Sequence, residues 1–182
     1  MRKLKNSELG RKTIGEFKKA DKLPIIIVLD NVRSLYNVGS VFRTADSFLL
    51  KAVYLCGITA KPPHREIEKT ALGATETVEW VYFNDTREAI GRLKCSNFEI
   101  IAIEQTENSV ALNEFIPKPD RSYALIFGHE VKGVQQNIVN LSDHCIEIPQ
   151  LGTKHSLNIA VCAGIVIWDF YTKLDIHCLK II

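Results

Sequence analysis

The chain has 182 residues, enough for one domain with a substantial core, and its 46% hydrophobic and 24% charged residues are ordinary for a soluble globular protein. The net charge is only +2, but residues 1–22 hold eight Lys or Arg against three acids, a net +5, which leaves −3 for the rest. A basic arm on a near-neutral body suits a polyanion such as RNA, and a solvated helix face has the same appearance. Five cysteines without a C-x-x-C pair argue for reduced thiols in a cytoplasmic protein, against a disulfide framework and against a metal site. The basic N-terminus lacks the apolar segment of a signal peptide, and the longest apolar run, residues 157–168, is too short to span a bilayer.

In chain order, residues 7–20 read as a polar, basic helix. "PIIIVLD" (24–30) is a continuous apolar strand ending in Asp30. In "NVGSVFRTAD", Val38, Val41, Phe42 and Ala45 make one apolar stripe, so a helix runs over about 38–48, with Arg43 pointing away. Strands follow at 51–57 and, past a proline-rich loop with a short helix, at 77–83. Asp85 caps a helix to about Cys95. A strand at 98–105 leads into a loop, then come a strand at 122–128, a short helix at 134–142 and a strand at 144–149. Ser156 is placed to cap a final helix reaching about Leu174. The tail has no evident role. Apolar strands alternating with helices predict an α/β fold, a parallel sheet covered on both faces. Ligands of such sheets bind beyond the carboxyl ends of the strands. The polar and glycine-rich loops that leave those ends carry Glu104, Glu130 and Ser156, and the first of them leads into the helix that bears Arg43.

Dinucleotide and nucleoside-triphosphate chemistry are disfavoured. Gly128 and Gly133 in "GHEVKGV" have phosphate-loop spacing, but Val134 and Gln135 stand where Lys and a hydroxyl are required, and G-x-G-x-x-G is absent. By itself this loop is a strand-to-helix turn with His129 and Glu130 in it. Asn158 opens an apolar helix, and a buried amide needs partners. Lys154 and His155 would add donors at that helix start. Two residues have competing readings. Arg43 either pairs with Asp46 on the surface or serves a site, and Asn37 either caps its helix or serves that same site.

Three blocks, in order, resemble the SpoU (TrmH-like) RNA ribose methyltransferases of the SPOUT superfamily. They are "NVGSVFRTAD", "LIFGHEVKGV" and "IEIPQLGTKHSLNIAVCAG", and the likeness covers roughly residues 24–174. The resemblance implies an arm (1–22), a SPOUT methyltransferase domain (23–175) whose segment 122–174 forms a deep trefoil knot, and a tail (176–182). It further implies a cytoplasmic homodimer that binds S-adenosylmethionine and tRNA or rRNA, with no metal and no membrane. Carried over position by position, Gly128, Ile148, Leu157 and Glu104 would hold the cofactor. Asn37, Arg43, Glu130, Ser156 and Asn158 would form the catalytic group. Gln150 departs from the pattern, since many relatives have Met there.

The implied reaction is an in-line attack of a ribose 2′-oxygen on the sulfonium methyl, releasing S-adenosylhomocysteine, with the hydroxyl proton lost late or to solvent. The leaving group is already cationic, so no metal is required. A guanidinium titrates above about 12, so Arg43 is better suited to steady an alkoxide and a phosphate than to remove a proton. Gly39 is expected to clear space for RNA to reach Arg43, with His64, Arg65 and Lys69 approaching the RNA and the arm giving a steep salt dependence. The short arm is more like that of the family's compact tRNA-directed members, so the resemblance implies tRNA in preference to rRNA. The alternatives are a catalytically silent knotted RNA-binding protein and a SPOUT enzyme that methylates a base nitrogen.

Overall fold

The computed structural model describes residues 1–153 and 156–174. The strands are β1 (Leu23–Asp30), β2 (Leu50–Cys56), β3 (Trp80–Phe83), β4 (Phe98–Ile103), β5 (Val110–Ala111), β6 (Ser122–Phe127) and β7 (His144–Glu147). The helices are α1 (Ile14–Lys19), α2 (Leu35–Ser47), α3 (Arg65–Ala71), α4 (Ala74–Thr77), α5 (Thr86–Cys95), α6 (Gln136–Val139) and α7 (Ile159–Lys173). The strands form one sheet in the order β3-β2-β1-β6-β4-β7-β5, and the neighbours are parallel throughout.

The apolar runs are continuous because both faces of the sheet are covered. Along β1, Ile25, Ile27 and Leu29 pack with Val38, Val41 and Phe42 of α2 and with Val166, Ile167 and Phe170 of α7. The alternate residues Ile26 and Val28 pack with Ala89, Ile90 and Leu93 of α5 and Ile138 of α6. Each such large side chain, fully buried, contributes about 1.5–3 kcal/mol. Strand β6 is seated between β1 and β4, and β7 between β4 and β5, although both come later in the chain than the strands on either side. No helix among the described residues is long and apolar enough to cross a membrane.

Several local expectations need correction. Residues 7–20 are not one helix. A 3₁₀ turn at Asn6–Glu8 ends before Gly10, whose φ is +58, and Thr13 then starts α1 with a capping box to Glu16. Helix α2 begins a turn earlier than the apolar stripe. Ser34, not Asn37, is its N-cap, the Ser34 hydroxyl accepting from Asn37 N at 3.3 Å. Thr77 belongs to α4, so the third strand begins only at Trp80. The loop after β4 contains the two-residue β5, held by β7. Asn158, not Ser156, caps α7. Lys154, His155 and the tail 176–182 lie outside the described residues.

Candidate active site

The strands run parallel, so β1, β4, β6 and β7 present their carboxyl ends along one edge. The loop after β6 is a tight ring. His129 and Gly133 exchange backbone hydrogen bonds of 3.0 and 2.8 Å, and Gly133 adopts a φ of +66. A Cβ on Gly128 would sit 2.1 Å from Val134 N, so only glycine allows the two ends to close. His129 is used up in this turn, its Nδ1 accepting from Val131 N at 3.0 Å. The ring presents Glu130.

The Glu130 carboxylate reaches the segment that opens α2. Its Oε2 accepts from Arg33 N at 3.0 Å, and its Oε1 accepts from Ser34 N at 2.9 Å and from Asn37 Nδ2 at 3.2 Å. Burial pushes this carboxyl up, but those backbone N–H groups and the Asn37 amide together outweigh it and hold the group below the usual carboxylate range. Glu130 is therefore an anion at neutral pH and acts as an anchor. Asn37 Oδ1 in turn accepts from Asn158 Nδ2 at 3.2 Å. Asn158 Oδ1 accepts from Ala160 N at 2.9 Å and Val161 N at 3.4 Å, which caps α7. Three polar side chains from three distant segments thus form one hydrogen-bonded chain.

Two more carboxylates brace the ring. Glu104 Oε2 accepts from Val134 N at 2.8 Å and its Oε1 from Gln105 N at 3.0 Å, so this residue secures the loop while facing the cleft. Asp30 is fully buried and accepts from Thr86 Oγ1 at 2.6 Å, Asn31 Nδ2 at 2.9 Å and Gln135 N at 3.3 Å. Sequence reasoning missed this bracing role of Asp30. The available signal was a carboxylate closing an apolar strand at the ligand edge.

A cleft of about 470 Å³ opens between these loops. Gly128, Ile148, Leu157, Glu104, Glu130, Ser156 and Asn158 all line it, and so does Gln150. Asn37 stands behind the lining, 9% exposed, and acts on it through Glu130 and Asn158. Ser156 is exposed on the rim, and among the described residues it caps no helix. Arg43 is not joined to the group within the chain. It lies six residues past Asn37, about 9 Å further along α2 and on another face. It is exposed, and its guanidinium has no ion-pair or hydrogen-bond partner among the described residues. Nor does Asp46 pair with it, because Asp46 accepts from the Thr77 hydroxyl. Gly39 clears space for a helix, not for RNA: a Cβ there would sit 2.2 Å from both Ile67 O and Thr70 Oγ1 of α3.

The family model of the SpoU rRNA Methylase family matches residues 24–168. The chain belongs to this family. A relative from Borreliella burgdorferi, described as an uncharacterized tRNA/rRNA methyltransferase, is 30% identical over 163 residues, 88% of this chain and 68% of its own length. Against a TrmH-family relative from Staphylococcus epidermidis, 27% identical, the chain spans 61% of the relative's length. Among solved structures, the A. aeolicus TrmH/SpoU tRNA modifying enzyme superposes with a TM-score of 0.77 at 25% identity, over 90% of this chain and 81% of that one. The AdoMet-bound rRNA methyltransferase from Sinorhizobium meliloti shares the fold with the same score at 23% identity, over 84% and 57% of the two chains. The three sequence blocks of the SpoU resemblance are the segments that supply Asn37, Glu130 and Asn158 to the site.

Proposed function

We propose that this SpoU protein transfers a methyl group from S-adenosylmethionine to a ribose 2′-OH of structured RNA, with tRNA favoured over rRNA. The observation that carries the reading is the Glu130–Asn37–Asn158 chain at the lip of a cleft that the three blocks build together. The preference for tRNA rests on the likeness to the tRNA modifying enzyme, which the chain matches over most of both lengths.

The cleft suits the cofactor by its chemistry. Apolar Ile103, Phe127, Ile148 and Ile159 offer a surface for a flat base, and exposed strand-end backbone offers donors and acceptors. Gly128, Ile148 and Leu157 would hold S-adenosylmethionine there, while Glu104 shapes the wall by fixing Val134. When bound, the cofactor supplies a methyl carbon on a positively charged sulfur. Asn158 and Glu130 keep the two loops in register so that the attacking oxygen is aligned, which is where most of the rate is gained. Arg43 is assigned to the developing alkoxide and the adjacent phosphate. Ser156 on the rim would contact RNA.

A homodimer is part of the same proposal. Leu157, Val161, Ile165 and Trp168 lie on one face of the segment leading into and along α7, exposed by 37, 53, 40 and 55%. Such a stripe is suited to a second copy. A second copy would also give Arg43, detached from its own chain's cleft, a cleft to serve. The family's trefoil knot over about 122–174 belongs to this reading too, and the seating of β6 and β7 between earlier strands supports it.

The test is transfer of a labelled methyl group from S-adenosylmethionine to unmodified tRNA and rRNA, with nucleoside analysis of the product. The expected result is a 2′-O-methylnucleoside in tRNA that disappears in Arg43→Ala. A methylated base would replace this reading with base-nitrogen chemistry. Bound cofactor without transfer to tRNA or rRNA would point to another RNA or a missing partner, and absence of both transfer and cofactor binding would favour the silent RNA-binder.

A further inference from the structure

Tyr36 stands in the first turn of α2, one residue before Asn37, and is 49% exposed. A single exposed aromatic is common on any surface. This one is held in place. Its hydroxyl donates to Glu66 on α3, its carbonyl accepts from Thr70 Oγ1 at 3.0 Å, and the Lys69 ammonium lies 6.0 Å from its ring centroid. The ring is therefore oriented before any ligand arrives, which lowers the entropy lost when something packs on it.

The surroundings are cationic. Arg33 precedes α2 and Arg65 opens α3, both are exposed, and neither guanidinium has a partner among the described residues. Glu66, which accepts from the Tyr36 hydroxyl, is already paired with Lys69 at 2.7 Å. The platform is also tied to the cleft. Arg33 N and Asn37 Nδ2, on either side of Tyr36, both donate to Glu130.

We infer that Tyr36 is a stacking platform for an unpaired RNA base, with the flanking phosphates taken by Arg33 and Arg65. The inference rests on the RNA methyltransferase reading and deepens it by naming the side chain that takes an unpaired base. The nucleotide stacked on Tyr36 lies in a single-stranded loop or bulge, not in a duplex. A duplex hides the faces of its bases, whereas an unstacked base offers its face to an aromatic ring and its backbone to guanidinium groups.

The experiment compares binding of an RNA hairpin carrying 2-aminopurine in its loop with binding of the blunt duplex of the same stem. It uses the full chain, and S-adenosylmethionine binding is measured alongside. Wild type is expected to prefer the hairpin and to change the loop fluorescence on binding. Tyr36→Ala loses roughly 5- to 150-fold in hairpin affinity, the range expected for one base–aromatic stack, with duplex and cofactor binding unchanged. Tyr36→Phe keeps the ring and the hairpin preference. Equal wild-type affinity for hairpin and duplex, or an unaltered hairpin affinity in Tyr36→Ala, overturns the platform and leaves the methyltransferase reading standing. Failure of wild type to bind either RNA, with cofactor bound, overturns the platform, and the methyltransferase reading is then decided separately by transfer to tRNA and rRNA.

Discussion

Asn158 donates a hydrogen bond to Asn37 at 3.2 Å across 121 positions of the chain. The same two residues hold Glu130 on one side and the start of α7 on the other. Replacing either by Ala leaves the others with unmet partners. Asn158→Ala also removes the α7 cap, at a cost of about 0.5–2 kcal/mol. Urea denaturation of Asn37→Ala, Asn158→Ala and the double variant is expected to give a coupling of about 0.5–1.5 kcal/mol, and additive values would show that the contact carries no energy. Methyl transfer falls by roughly 10- to 100-fold in each single variant, because the loops lose their alignment.

Gly39 is a packing residue. In Gly39→Ala the new methyl meets backbone Ile67 O and the Thr70 hydroxyl, and α3 must move away from α2. The expected loss is about 1–3 kcal/mol, a fall in Tm of about 2–12 °C by calorimetry. If the glycine served access of RNA instead, Tm would hold while the KM for RNA rose.

Glu130 links the site to pH. Its pKa is lower in the folded protein than in the unfolded chain, so its stabilisation is present above the ordinary carboxyl value of about 4.3 and is lost as pH falls through the folded value. Denaturant melts of wild type between neutral and acid pH are expected to show this decline. Glu130→Gln is less stable at neutral pH and shows a shallower acid decline. Above pH 6 no step in activity arises from Glu130, and a step that vanished in Glu130→Gln would contradict its role as a permanent anion.

The thiols should differ sharply in reactivity. Burial pushes Cys56 up to about 12 and Cys162 up to about 11, whereas Cys95 is exposed. With iodoacetamide at mildly alkaline pH, mass spectrometry is expected to find Cys95 labelled before Cys56 and Cys162. Cys162 lines the cleft, so S-adenosylhomocysteine should slow its labelling further. Early labelling of Cys56 would mean that the β1–β2 core opens.

Much of this architecture is legible in the sequence, because it depends on local patterns. Unbroken apolar runs such as 24–29 mark strands buried on two faces, and the stripe Val38, Val41, Phe42, Ala45 marks the core side of α2. Asp85 does cap α5, accepting from Arg87 N at 2.8 Å. The three blocks are segments that meet at one cleft, and each encodes its own turn through glycines and short polar residues that act within a few positions.

What the sequence could not decide is which polar atoms meet. Ser156 and Asn37 both have the side chains of helix caps, yet Ser34 and Asn158 perform the capping. A hydroxyl or amide fits several backbone N–H groups equally well, and only the surrounding fold selects one. Gly39 has no local signature separating a ligand gap from a helix contact, since the neighbour it accommodates, Ile67, lies on a different helix. Arg43 sits in the same short block as Asn37 and yet stands apart from the cleft. The helical turn sends neighbours in sequence to different faces, and the tertiary packing determines what each face meets.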